Sequence, residues 1–163
     1  MYYSTNYSSP IGEMLIVSDG DAICGVWFLD QKNFKSTLDE KIIQKDDLAI
    51  FKKVIIWLDD YFNGLNPRID FKLNPKGSEF RLKVWRILSE IPYGTSITYG
   101  EIASKISQKM SAQAVGGAVG ANPIAIIIPC HRVLGKNGKL TGYAAGLERK
   151  TELLKIENLL NSD

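Results

Sequence analysis

The sequence predicts a small α/β domain, an antiparallel sheet plus a helix, followed by a mainly α domain carrying a winged-helix-like helix-turn-helix. Three observations predict it. Strand-like runs with tight turns concentrate in the first third, apolar residues at helical spacing follow, and cap and breaker signals mark short helices between residues 78 and 121. Composition agrees: 163 residues suffice for one or two small domains, and 45% hydrophobic with 23% charged residues is ordinary for a soluble globular chain. No apolar run approaches the roughly 18 residues of a membrane helix. The start, Met1-Tyr2-Tyr3-Ser4-Thr5, has neither the basic patch nor the apolar run of a signal peptide, so a cytoplasmic location and no membrane partner are expected.

In chain order, Met14–Val17 and Ala22–Phe28 read as strands flanking the turn signal Ser18-Asp19-Gly20-Asp21. Cys24, inside the second strand, reads as a small buried hydrophobe. Leu48, Phe51, Val54, Ile55, Leu58, Tyr61 and Phe62 recur at spacings of three and four, and Asn63-Gly64 supplies a stop. A short extended piece, Ile69–Leu73, leads to the linker Asn74–Ser78, which sets the expected domains at 1–74 and 75–163. Ser78 can cap a helix running to about Glu90, with Phe80, Val84, Ile87 and Leu88 inward, before Pro92-Tyr93-Gly94 breaks it. Thr98-Tyr99-Gly100-Glu101 is a capping box opening a second helix to about Ile106. Ser111 can cap a third from Ala112 to about Ala121, and the last two together read as a helix-turn-helix with the third helix as reader.

That third helix holds Gly116, Gly117 and Gly120. Each interior glycine costs roughly 1 kcal/mol relative to alanine. With Ala112, Ala114 and Ala118 they leave a helix almost without side-chain bulk, suited either to tight packing on a neighbouring helix or to close docking in a groove. Charge is uneven: residues 1–78 carry 9 basic and 11 acidic side chains, residues 79–163 carry 11 and 7. The second half is the one an anionic partner would meet.

The chemistry concentrates in Asn122-Pro-Ile-Ala-Ile-Ile-Ile-Pro-Cys-His-Arg-Val133. The isoleucine run is short, β-branched and apolar, and reads as a fully buried strand that Pro129 must end. Cys130 would then sit just beyond a rigid strand, beside His131, the one histidine of the chain. A histidine can help generate a thiolate, the nucleophilic form of cysteine. In an extended chain neighbouring side chains point to opposite sides, so contact between the two needs a turn or a bridging water. The only other cysteine is Cys24; free thiols in a reducing compartment are expected, and a structural zinc site, which usually takes four Cys or His ligands, is not.

Pro129-Cys-His-Arg-Val133 resembles the active-site motif of the 6-O-alkylguanine-DNA alkyltransferases, the methylated-DNA–protein-cysteine methyltransferases. The similarity runs from about Phe80 to Glu157 through Ile97-Thr-Tyr-Gly-Glu-Ile-Ala, Ala114-Val-Gly-Gly-Ala, Asn122-Pro and Gly142-Tyr-Ala-Ala-Gly-Leu, and Ser9-Pro-Ile-Gly-Glu resembles the family's small N-terminal domain. The resemblance implies single-turnover DNA repair. An alkyl group passes from the 6-oxygen of guanine, and from the 4-oxygen of thymine, in double-stranded DNA to Cys130 after the base is flipped out, with a monomeric protein and no cofactor or metal.

It also implies roles. Cys130 is the acceptor. His131 works through a water and Glu157 orients it, the latter seven residues past Lys150 on the last helix, with Lys150 near the sulfur. Asn122 ties the reader helix to the active-site segment, and Tyr99 donates a proton or hydrogen bond to the base. Val133, Tyr143, Ala144 and Ala145 bind the base, while Thr98, Ala112, Gln113, Gly116, Gly117, Gly120 and Arg132 face DNA. Two positions depart from the family pattern. Gln113 stands where an arginine commonly fills the gap left by the flipped base, and Ala145-Gly146 stands where Gly-Gly is common. The competing readings are a lesion-flagging alkyltransferase-like protein, whose relatives lack the acceptor cysteine, a helix-turn-helix regulator, which would carry long base-reading side chains, and a cysteine hydrolase, which would turn over.

Overall fold

The chain opens with a hairpin whose two strands, β1 (Tyr2–Ser9) and β2 (Gly12–Ser18), pair antiparallel across the short Pro10-Ile11 link. Gly12 is required at the end of that link. Its φ is +137°, and a Cβ there would lie 2.5 Å from the Arg149 guanidinium. The computed structural model describes residues 1–160. A second tight turn, in which Asp19 Oδ1 accepts from the backbone of Asp21 and Ala22, leads to β3 (Ile23–Phe28), fully buried and antiparallel to β2. Cys24 is fully buried in it, as expected.

Two strands were not legible. β1 is rich in Ser, Thr and Asn, and β4 (Ile42–Gln44) is three residues long; β4 pairs parallel with β1. The sheet is therefore mixed, in the order β3-β2-β1-β4, rather than purely antiparallel. Helix α1 (Ala49–Phe62) covers it with Phe51, Val54, Trp57, Leu58 and Tyr61 inward, and Asn63-Gly64 ends it. Leu73 forms a single parallel bridge to Ile23 on β3.

Helix α2 (Glu79–Ser89) is capped by Ser78, whose side chain accepts from the Arg81 amide. Helix α3 (Tyr99–Ile106) starts with the Thr98–Glu101 capping box, and α4 (Ala112–Gly120) with a Ser111 cap. The α4 face that packs on α2 and α3 is Val115, Ala118 and Val119, and the Trp85 indole N–H donates to Ala118 O at 2.8 Å to fasten it. The glycines take no part in that packing: Gly117 and Gly120 have nothing within 4 Å of a would-be Cβ, and Gly116 has only the Tyr99 ring at 3.8 Å.

The isoleucine run is buried but is not a strand. It makes one bridge, Val26 to Ile124, and then turns, with Ile126 at φ 69°. Helical and ladder geometries both fail at that residue, so the segment is a bent plug against the edge of β3. After it, Cys130–Arg132 forms a 3-10 turn, Val133–Leu134 (β6) pairs with Ile97–Thr98 (β5), and α5 (Leu147–Ile156) closes the described chain. One hydrophobic core runs without a break from Met14, Phe28 and Phe51 to Val84, Ile102, Val119, Ile128 and Leu153. Among the described residues no helix is long and apolar enough to cross a membrane.

Candidate active site

Cys130 lies at the floor of a cavity of about 840 Å³ between α4 and the 141–144 loop. One wall is the open face of α4, with Gln113, Gly116, Gly117 and Gly120; Tyr99 and Tyr143 are aromatic sides. Ala144 lines it too. The bare helix face is thus turned to the space above the sulfur. Lys32 and Asn33, from the loop after β3, reach the rim; the Lys32 amide donates to Ala144 O at 3.0 Å.

Asn122 follows α4 and holds the bent plug. Its Nδ2 donates to Ile128 O at 2.8 Å and Ile124 O at 3.3 Å, while its Oδ1 accepts from the Ile124 amide at 3.0 Å. Burial pushes the Cys130 thiol up; the Asn122 amide, the Lys150 charge and the Tyr143 hydroxyl pull it partly back. The Tyr143 hydroxyl is itself buried and has no hydrogen-bond partner among the described residues; burial, and then the neighbouring Cys130, push its pKa well up.

Behind Cys130, His131 and Glu157 are buried together. His131 Nε2 donates to Glu157 Oε2 at 2.6 Å. Glu157 also accepts from Arg132 Nε at 2.7 Å on Oε1, from Arg132 Nη2 at 3.2 Å, from the Gly94 amide at 3.0 Å and from the Tyr61 hydroxyl at 2.6 Å. Burial alone would raise the carboxyl, but the donors from His131, Arg132 and Tyr61 outweigh it and hold its pKa down to about 2. An ionised carboxylate only accepts, so the imidazole proton sits on Nε2 and Nδ1 keeps its lone pair. Nδ1 is buried and has no partner among the described residues. Burial pushes His131 down against the pull of Glu157, which keeps it neutral and able to take a proton.

Lys150 is fully buried in α5. Its ammonium donates to Val133 O at 2.7 Å, Thr141 O at 3.1 Å and Gly142 O at 3.4 Å, so it ties β6 to the cavity loop; burial lowers its pKa to about 8. Glu157 is the residue just past the helix rather than part of it, yet it faces inward as Lys150 does.

Cys130, Tyr99, Gln113, Tyr143, Ala144, Ala112 and the three glycines therefore share the cavity, while His131, Glu157, Asn122, Lys150 and Val133 stand behind it. Three residues fall elsewhere. Arg132, expected on the DNA side, is turned inward because its guanidinium neutralises Glu157 and donates to Ile91 O at 2.7 Å. Thr98 spends its hydroxyl on the α3 cap. Ala145 belongs to a neighbouring cleft beside Arg149. Sequence reasoning missed Tyr61 as anything but a packing residue. The available signal was a phenol on an inward helix face, since a buried hydroxyl needs a partner. No group of three or more metal-ligating side chains is found among the described residues.

Comparison with known proteins gives the same answer over both halves. Residues 1–75 match the family model described as the ribonuclease-like domain of 6-O-methylguanine DNA methyltransferase, and residues 79–159 match its DNA binding domain. A methylated-DNA–protein-cysteine methyltransferase of Haemophilus influenzae is 44% identical over 96% of this chain and 87% of its own length. One from Methanosarcina acetivorans is 45% identical over 96% of this chain and 98% of its own. Among solved structures, Mycobacterium tuberculosis OGT in complex with DNA superposes with a TM-score of 0.85 at 39% identity, covering 97% of this chain and 92% of that one.

Proposed function

The chain belongs to the 6-O-methylguanine DNA methyltransferase family, and from that premise we propose the residue-level course of its reaction. It is a DNA-binding repair protein that transfers an alkyl group to a cysteine of its own. In our reading the acceptor is Cys130, the donor is the 6-oxygen of guanine or the 4-oxygen of thymine in duplex DNA, and the protein acts as a monomer in the cytoplasm, where its two free thiols stay reduced. The observation that carries this is the shared cavity: a cysteine at its floor, a bare helix face as its wall, and a buried Glu157–His131 pair behind it with Nδ1 free.

The target oxygen lies inside the duplex, so the base must leave the stack to reach a sulfur at the floor of a cavity. α4 approaches the DNA through Gly117, Gly120 and Ala112, and Gln113 enters the space the base vacates. The Cys130 proton passes through a water to His131 Nδ1, and the imidazolium is stabilised by Glu157. The thiolate, held by the Tyr143 hydroxyl and the Lys150 charge, attacks the alkyl carbon. A carbon–sulfur bond forms as the carbon–oxygen bond breaks, and the electron pair stays on the base, which takes a proton from Tyr99 or water as the guanine carbonyl is restored. Main chain at Cys130 and Val133 holds the base edge. A thioether has no leaving group, so each chain reacts once. The division at residues 74 and 75 separates the part that carries Tyr61 from the part that meets DNA.

Mixing the protein with excess duplex containing labelled 6-O-methylguanine should give one methyl group per chain, on Cys130 by mass analysis. Cys130→Ser should bind duplex and transfer nothing. Repeated turnover, or label on Cys24, would refute the reading.

A further inference from the structure

Four titratable or charged groups face the His131–Glu157 pair, Tyr61 from α1, Tyr93 from the turn after α2, Arg132 from the 3-10 turn and Lys150 from α5, while Cys130 and Tyr143 lie on the cavity side. Only Tyr61 comes from the first half of the chain. It is fully buried, with its ring stacked on Trp57 at 5.6 Å and edge-on to both Tyr93 and His131. Its hydroxyl donates to Glu157 Oε2 at 2.6 Å, the same oxygen that receives the His131 Nε2 proton, and the phenol oxygen lies 3.3 Å from that nitrogen.

We infer that Tyr61 is a positioning residue for alkyl transfer: its hydroxyl fixes the Glu157 carboxylate and the His131 ring so that Nδ1 faces the Cys130 side as a base. The alternative pose of the carboxylate is clear from its other partners. Arg132 already holds Oε1 through Nε and reaches Oε2 through Nη2. Without the phenol, Oε2 is free to close the longer arm of this pair, Nη2 at 3.2 Å, and to move off the His131 Nε2 proton. His131 would then lose the fixed acceptor of its Nε2 proton, and with it the energetic preference between its two tautomers. The burial that raises the thiol would go less opposed.

The inference rests on the proposed transfer reaction, and its test separates the two. His131 is the single histidine of the chain, so its ring nitrogens give unambiguous NMR signals. In the parent protein near pH 7 the ring should be neutral, with the proton on Nε2 and Nδ1 bare. In Tyr61→Phe both tautomers should appear. The single-turnover rate with methylated duplex should fall about tenfold at pH 7, the midpoint of its pH dependence should rise by about one unit, and the two rates should converge at high pH. A purely structural role would lower the fraction of active protein and leave the midpoint in place. An unchanged rate, or a loss equal at every pH with the tautomer unaltered, overturns the inference. So does a parent ring protonated on Nδ1, a result that needs no variant. A parent that transfers no methyl group defeats the proposed function instead, and the tautomer comparison still decides the role of Tyr61.

Discussion

Gly117→Ala should make the protein more stable and Gly117→Leu should make it a poorer DNA binder. Gly117 sits inside α4 with helical backbone, and a Cβ there meets nothing within 4 Å. Alanine therefore adds no clash and removes only unfolded-chain entropy, a gain of about 0.4–1 kcal/mol. For a chain of this size that raises the melting temperature by roughly 2–4 °C per kcal/mol. Gly120 ends the helix and gains less; at Gly116 a Cβ would touch the Tyr99 ring at 3.8 Å. A position that could be stabilised by one methyl group and yet stays bare points to close approach by something outside the chain. Leucine at 117 projects into that approach and should weaken binding to undamaged duplex by about tenfold, which corresponds to about 1.4 kcal/mol. Urea unfolding and fluorescence anisotropy measure the two effects on the same samples. If Gly117→Ala loses stability, the position is not open as the geometry has it, and if Gly117→Leu binds duplex as the parent does, α4 is not the face that meets DNA.

Three further outcomes follow from the geometry. Glu157, with its folded pKa depressed to about 2, contributes stability that is complete above its ordinary value near pH 4–5 and is lost as pH falls through about 2, in total roughly 3 kcal/mol; the parent and Glu157→Gln, compared by urea unfolding with His131 in place in both, should differ less at pH 2 than at pH 7, whereas a constant difference rejects the assignment. Gln113 lines the cavity beside Cys130, so Gln113→Ala should slow repair of duplex but scarcely change transfer from the free alkylated base; an unchanged duplex-to-free-base ratio removes Gln113 from base flipping. Arg149 donates to Ile11 O at 2.8 Å and to Asp30 at 2.6 Å, with its guanidinium 4.4 Å from the Phe28 ring centre. Arg149→Ala should cost roughly 2 kcal/mol in urea unfolding, and a change under about 0.5 kcal/mol would show that this tie between α5 and the first hairpin carries no weight.

Helix starts were legible because a cap is a local event: Ser78, Thr98 with Glu101, and Ser111 each satisfy backbone amides within three residues. The segment leading to Cys130 was legible as a motif and misread as geometry. A run of β-branched residues before a proline has the pattern of a buried strand, and nothing local records that Asn122 bends it or that β3 offers only one bridge. β1 escaped notice for the opposite reason. Its Ser4 and Thr5 are buried, and polar residues buried by a sheet look like loop residues in sequence. Arg132 was misplaced by its charge. Its partner Glu157 is 25 residues away, and no sequence spacing announces a buried ion pair. Tyr61 was placed correctly on the inward face of its helix, but the hydroxyl's partner lies 96 residues on.

Cys130 follows a strained segment fastened at both ends. A β-branched residue at φ 69° is a rare conformation, costing on the order of 1–2 kcal/mol. Ile126 keeps it because its neighbours leave no other path. The Asn122 side chain clamps Ile124 and Ile128, and the Val26 backbone bonds Pro123 and Ala125 on either side of Ile124. Two of those bonds come from β3, in the first half of the chain, as does the Tyr61 hydroxyl behind His131. The first half thus touches the site twice, once under the segment that carries the sulfur and once on the carboxylate behind its base. A hydrophobic core continuous across the chain holds these two supports in register with the cavity. If Cys130 is the single-use nucleophile proposed above, mobility would gain it nothing, and rigid support from two directions holds its sulfur at the floor of the cavity.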